Sequence, residues 1–118
     1  MIRLQLPKPP SSNQLFPTGK NGMRHRSKAY NIWLGVAEPT VWLTKFLPIA
    51  GPVVIRLTLE DEGRIDLPNY EKALVDLCVR HKIIEDDKRA ILRKLIMQWG
   101  KEEGAVVEIW SVTERGCP

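Results

Sequence analysis

The chain has 118 residues, of which 43% are apolar and 27% charged, and its formal net charge is +4. These values describe one globular domain over residues 1–118 and exclude a disordered chain or a two-domain protein. Apolar runs stay well short of the roughly 18 residues that span a bilayer, and prolines interrupt the N-terminus where a signal peptide would be apolar. We therefore expect a cytoplasmic protein without a membrane segment. The two cysteines, Cys78 and Cys117, make neither a disulfide framework nor a zinc site.

The positive charge is concentrated in the first third of the chain. Residues 1–37 carry six lysines and arginines and no aspartate or glutamate, whereas the remainder has 12 basic against 14 acidic residues. Such an excess suits a polyanion, because each neutralised phosphate releases counterions. A solvated arm would have the same composition. A glycine-containing loop over residues 17–28 holds the candidate DNA-binding residues, which are Lys20, Arg24, Arg26 and Lys28.

The first two predicted elements are a strand and a helix. Residues 2–6 alternate apolar and polar side chains, the period of a half-buried strand, and the prolines of residues 7–10 end it. Ser27 is a candidate N-cap for a helix that Pro39 should kink or split in two. We expect both tryptophans of its apolar stripe to be core residues rather than platforms for base stacking. The stripe comprises Tyr30, Trp33, Leu34, Ala37, Val41, Trp42 and Phe46.

A second strand and helix follow. Residues 53–60 alternate as a strand, and a polar turn leads from them to Asp66. Pro68 fits the first turn of a helix, with Asp66 or Leu67 preceding it. Lys72 and Asp76 lie off the apolar stripe of this helix, and His81 and Lys82 suit its C-terminal end. The buried stripe is predicted to be Tyr70, Ala73, Leu74, Leu77 and Cys78.

The last third of the chain is predicted to be two strands. Residues 88–98 have high helix propensity, but their apolar pattern also fits a strand buried on both faces. Residues 100–104 form a turn sequence, and residues 105–113 are rich in Val, Ile and Trp. A hairpin explains both runs, so we assign the first run to a strand. The predicted fold class is α/β (α+β), with two main helices on a mixed sheet of about four strands in the order β-α-β-α-β-β.

Two acidic stretches are separated by about the length of one helix. Packing of that helix between them would bring Asp66 and Asp87 to one end of the fold, where Asp86 is a further candidate ligand. Carboxylates from separate segments suit a hard cation such as Mg²⁺, and Lys72 would add an ammonium group. Structural explanations also exist. Asp66 would then be an N-cap, Lys72 a solvated helix position, and the Asp86–Asp87 pair a turn.

The motifs of this chain resemble those of RusA-like Holliday junction resolvases. An opening strand followed by Pro-x-Pro-Pro-Ser-x-Asn, here residues 7–13, is similar to the start of that family. Its central signature is similar to Asp-x-Asp-Asn-x-x-Lys, followed by an Asp in an apolar helix and then an Asp-Asp pair. The corresponding residues of this chain are Asp66, Asn69, Lys72, Asp76, Asp86 and Asp87.

The resemblance implies a homodimeric endonuclease that binds four-way DNA junctions and nicks two opposed strands with Mg²⁺ or Mn²⁺. It implies metal-binding carboxylates at Asp66 and Asp87 and a catalytic lysine at Lys72. The third carboxylate of the family signature would fall at Pro68, which cannot bind a metal. Three hypotheses follow. The protein is a metal-dependent junction endonuclease, a junction-binding protein impaired in catalysis, or a small α/β interaction protein whose acids are only caps and turns.

Overall fold

The computed structural model describes residues 1–17 and 25–118. The candidate DNA-binding residues Lys20 and Arg24 lie outside these ranges. The elements, in chain order, are β1 (Ile2–Leu6), a first 3₁₀ turn (Ser12–Gln14), α1 (Lys28–Leu43), β2 (Val53–Glu60), a second 3₁₀ turn (Leu67–Tyr70), α2 (Glu71–Arg80), β3 (Leu92–Gly100) and β4 (Ala105–Ser111). The predicted order β-α-β-α-β-β and the mixed α/β class are confirmed.

The four strands form one mixed sheet in the order β1-β4-β2-β3. β2 is parallel to β3, and β4 is antiparallel to both of its neighbours. The predicted hairpin of the last two strands is therefore wrong, because β2 lies between them. The prediction that residues 88–98 are buried on both faces is also wrong. β3 is an edge strand, and several of its side chains are exposed.

The hydrophobic core lies between the helices and one face of the sheet. On β2, Val53, Ile55, Leu57 and Leu59 are fully buried in a cluster that also contains apolar residues of both helices. Their cross-strand partners on β4 include Ile109 and Val107. This alternation confirms the period-2 interpretation of the sequence, because successive side chains of a strand point to opposite faces of the sheet.

α1 begins at the predicted cap, since Ser27 Oγ accepts a hydrogen bond from Tyr30 N at 3.0 Å. It continues as one helix through Pro39, so the predicted division into two helices does not occur. Trp33 is buried as expected, but Trp42 is 69% exposed, which corrects its assignment to the core. The difference follows from helical geometry, because Trp42 lies well to one side of the buried face formed by Trp33, Ala37 and Val41. No helix in residues 1–17 and 25–118 is long and apolar enough to cross a bilayer.

α2 buries the stripe that its sequence predicts. Tyr70, Ala73, Leu74, Leu77 and Cys78 are all buried. Burial raises the pKa of the Cys78 thiol to about 12, so Cys78 is a core residue rather than a nucleophile. His81 caps the C-terminus of the helix, and Lys82 follows with a positive φ of 57°. Where α2 meets α1, His81 Nε2 lies 2.8 Å from Glu38 Oε2.

Candidate functional site

The segments that carry the sequence motifs lie at one end of the sheet, where three of its strands finish. β1 and β2 are each antiparallel to β4, and β3 is parallel to β2. The strands β1, β2 and β3 therefore run in one direction, and their carboxyl ends lie at the same end of the sheet. The proline segment (residues 7–13) follows β1, and the acidic segment (residues 66–72) follows the loop after β2. Topology alone therefore brings together two motifs that are more than fifty residues apart in the chain.

Side chains join the two segments directly. Ser12 Oγ lies 3.3 Å from Asn69 Oδ1 and donates to it. The proline segment is also tied to α1, because Pro7 O accepts a hydrogen bond from Trp33 Nε1 at 2.8 Å. Ser11, also in the proline segment, is buried. The Pro-x-Pro-Pro-Ser-x-Asn motif therefore packs against the start of the acidic segment.

Lys8 makes the most extensive contacts of the proline segment. Its ammonium group lies 5.0 Å from the centre of the Tyr70 ring and 5.9 Å from that of Trp99. It also donates to the carbonyl oxygens of Glu60 at 3.2 Å and Glu62 at 3.3 Å. Two aromatic rings and two carbonyl dipoles thus stabilise the positive charge of the ammonium group. Through these contacts Lys8 links the ends of β1, β2 and β3 to the second 3₁₀ turn. The sequence does not signal this role, because nothing local distinguishes Lys8 from a solvated lysine.

Asp66 occupies the N-cap position of the second 3₁₀ turn, but its side chain makes no capping hydrogen bond. Only its backbone carbonyl takes part, accepting from Asn69 N at 3.0 Å. The carboxylate is exposed to solvent. Pro68 lies in the first turn, as expected, and is also exposed. The capping explanation therefore accounts for the backbone of Asp66 and leaves its carboxylate available.

The acidic groups approach one another around Glu71, at the start of α2. The pKa of Glu71 is raised by burial first and then by the negative charges of Asp76 and Asp87, while Lys72 opposes the shift. The charge of the second acidic stretch, at Asp87, therefore acts on Glu71 in the first. Like charges within range of one another favour a bound proton or a bound cation. Glu71 was not among the site residues expected from the sequence, because its partial burial at the start of α2 depends on tertiary packing.

Lys72 is exposed on α2 and pairs with Asp76, with 3.4 Å between Nζ and Oδ2. This is an i,i+4 contact between partly exposed groups, which leaves the ammonium free to exchange partners at little cost. The charges of Asp76 and of the basic start of α1 act on one buried residue, Tyr30. Its pKa is raised by burial and by Asp76, and the charge of Arg26 opposes this rise. Arg26 and Lys28 are both exposed.

The side chains of residues 85–87 make two kinds of contact. Glu85 Oε1 accepts a hydrogen bond from Gly51 N at 2.8 Å and so anchors the connection before β2. Asp86 Oδ1 accepts from Asp87 N at 2.8 Å, the contact of a local turn. The carboxylate of Asp87 is left exposed beside Glu71. Asp87 is the residue of this run whose charge helps to raise the pKa of Glu71 in the acidic segment.

These side chains fit a divalent cation only at low protein coordination. Within residues 1–17 and 25–118, no three His, Cys, Asp or Glu side chains are grouped so that they could hold a metal ion. A three-ligand centre therefore does not fit, in agreement with proline at position 68. Two carboxylates do fit Mg²⁺, which keeps several waters and binds through one or two carboxylates plus substrate phosphate. Glu71 and Asp87 are candidates for such a pair, and the exposed carboxylate of Asp66 lies at the start of the turn before Glu71.

Comparison with models of protein families and with curated proteins found no match to this chain.

Proposed function

We propose that this protein is a Mg²⁺-dependent, structure-selective DNA endonuclease that acts on four-way junctions as a homodimer. The observation that carries the proposal is the contact between Ser12 and Asn69, which joins the two segments that resemble RusA-like resolvases. It is supported by the exposed carboxylate of Asp66 and by the electrostatic effect of Asp87 on Glu71, in the same acidic segment. The cationic start of α1 suits the DNA backbone.

Each group of the site has a role that follows from its chemistry. Two of the three carboxylates of Asp66, Asp87 and Glu71 would hold the cation, which when bound polarises the scissile phosphate and lowers the pKa of an attacking water. Lys72 would leave Asp76 for a phosphate oxygen and stabilise the negative charge that develops there. Arg26 and Lys28 would bind the phosphates of a junction arm.

A second candidate function is junction binding without cleavage. It is favoured by the absence of a third carboxylate at Pro68 and of a three-ligand group in the described parts of the chain. The basic residues near α1 serve both functions equally, because binding to the DNA backbone does not require a metal. The two candidates therefore differ in the metal dependence of strand cleavage.

The deciding experiment incubates the purified protein with a labelled synthetic four-way junction, in Mg²⁺ and in EDTA. We expect paired nicks only with Mg²⁺. Lys72→Ala should abolish cleavage and leave junction binding largely intact, whereas Lys82→Asn, at the opposite end of α2, should cleave normally. Asparagine is the matched replacement there, because Lys82 has a positive φ that asparagine tolerates. A metal-independent gel shift without nicks would instead establish the binding protein. Neither a shift nor a nick would overturn both candidates.

A further inference from the structure

α1 is apolar on two sides, and the described residues, 1–17 and 25–118, cover one of them. The inner face packs on the sheet through Tyr30, Trp33, Leu34, Ala37 and Val41. A second stripe, which we call the outer stripe, consists of Ala29, Ile32, Val36, Pro39 and Leu43. These residues recur at intervals of three and four, the spacing with which one helix packs against another. Ile32 is 61% exposed, Val36 55% and Leu43 83%.

The outer stripe carries no charge along its length. The only charged residues of α1 are Lys28, at its first position, and Glu38. Glu38 faces α2, where its carboxylate lies 2.8 Å from His81 Nε2 and 3.6 Å from the guanidinium of Arg80. Helices of soluble proteins with an apolar stripe on each side are normally covered on both, and depletion of charge is typical of the core of a protein interface.

A groove runs beside the outer stripe. Its volume is about 450 Å³, and its walls are the proline segment, through Pro7, Pro9 and Pro10, and the α1 residues Ala29, Ile32 and Val36. Ala29, Ile32 and Val36 thus belong both to the ridge formed by the outer stripe and to one wall of the adjoining groove. A twofold axis beside such a surface would bring the ridge of each copy to the groove of the other.

From these observations we infer that the outer stripe of α1 and the groove beside it bind a second copy of this chain, with the two α1 helices packed across a twofold axis. The exposed parts of Ile32, Val36 and Leu43 offer on the order of 300 Å² of apolar surface, to which the prolines of the groove add. Together they supply much of the apolar half of the roughly 800 Å² that each partner contributes to a stable interface.

The inference deepens the proposed function and rests on it for its biological meaning, because nicks in two opposed strands need two sites related by symmetry. Lys8 both lines the groove and contacts Tyr70 of the acidic segment. Assembly through this surface would therefore place the twofold axis next to the segment that carries the candidate site of each copy.

The test is the mass of the full chain in solution, measured by sedimentation and light scattering at tens of micromolar protein. We expect a dimer, twice the 13.5 kDa of one chain. Val36→Glu should raise the dissociation constant of the dimer at least about a hundredfold, because it buries an unpaired carboxylate at the centre of the contact. Circular dichroism should show an unchanged fold, since Val36 is exposed. Leu95→Glu, on the exposed edge of β3, is the matched control and should remain dimeric.

A second measurement tests the same interface by cross-linking it, without a substitution that weakens the dimer. A cysteine placed at Val36, in a Cys117→Ser background, should lie near the twofold axis and form an intermolecular disulfide on mild oxidation. Cys78 is buried and will not compete. A cysteine at exposed Val112 should give no such product. A wild-type monomer, a dimer that survives Val36→Glu, or dissociation by Leu95→Glu alone would each overturn this interface. A dimer that neither binds nor nicks junctions would uphold it and overturn the proposed function.

Discussion

The ammonium of Lys8 lies 5.0 Å from the centre of the Tyr70 ring and fastens the end of β1 to the start of the acidic segment. Lys8→Met keeps the length of the side chain but removes the cation and leaves the carbonyls of Glu60 and Glu62 without their donor. We expect it to lower the free energy of unfolding by about 1–3 kcal/mol, measured in urea. Lys101→Met, at an exposed lysine of the turn before β4, should change it by less than about 0.5 kcal/mol. Equal losses in both variants would contradict the structural role of Lys8.

Glu71 should make the stability of the protein depend on pH. Its pKa is raised in the folded protein by burial, then by Asp76 and Asp87. The folded state therefore holds this proton more tightly than the unfolded state, and stability falls as the pH rises through the folded pKa. Glu71→Gln removes that fall, so in EDTA its Tm should exceed that of the wild type by about 1–3 °C at pH 7 and match it near pH 4.

The same variant tests the cation. Mg²⁺ should raise the Tm of the wild type, because ligands of the folded state stabilise it, and should raise that of Glu71→Gln by less. Asp61→Asn, at an exposed acid of the loop after β2, serves as the control and should respond to Mg²⁺ as the wild type does. If Glu71→Gln were less stable than the wild type at pH 7 in EDTA, the repulsion around Glu71 would be disproved.

Pro68→Asp should strengthen metal binding. Pro68 is exposed in the first turn of the second 3₁₀ element, so an aspartate fits there without disturbing the core. A further carboxylate two residues after Asp66 should raise the affinity for Mg²⁺ at least about tenfold and speed junction cleavage. Isothermal titration measures the first and single-turnover cleavage the second. Pro68→Asn separates the added charge from the loss of the proline ring. Equal affinities in the two variants would mean that the site does not use this position.

Gly104 should be irreplaceable at the start of β4. Its φ is +78°, and a Cβ there would collide with the carbonyl oxygen of Leu6 on the neighbouring strand. We expect Gly104→Ala to cost about 2–4 kcal/mol in thermal or urea unfolding. Gly63 has a similar φ of +75° but open space around it, so Gly63→Ala should cost only about 1 kcal/mol, the strain of the left-handed backbone. Similar costs at both positions would disprove the close approach of β1 to Gly104.

Much of the local structure could be predicted because it depends on short-range chemistry. The Ser27 cap, the buried stripe of α2 and the alternation of β2 each follow from residues within a few positions of one another. The separation of β3 from β4 in the sheet could not be predicted. The turn sequence of residues 100–104 is compatible both with a hairpin and with a connection that crosses the end of β2. Pairing partners in a sheet are chosen by burial over the whole domain.

The candidate site shows the same division. The sequence supplied the acidic residues and their order, and the proposed roles of Asp66, Lys72 and Asp87 remain predictions. It did not indicate that the charge of Asp87 would act on Glu71, because that depends on how α2 packs against the segment before β3. Nor could it assign Trp42 to the surface, since an amphipathic pattern does not say how wide a face the sheet will cover.

The sequence by itself determined the elements, their order and the residues with chemistry to offer, because caps, helical stripes and strand alternation are properties of neighbouring residues. Only the tertiary structure decided which elements are neighbours in the sheet, that the proline segment meets the acidic segment through Ser12 and Asn69, and that α1 keeps an uncovered apolar face. The physical reason is that burial and close packing are properties of the whole chain, in which distant segments compete for the same surface.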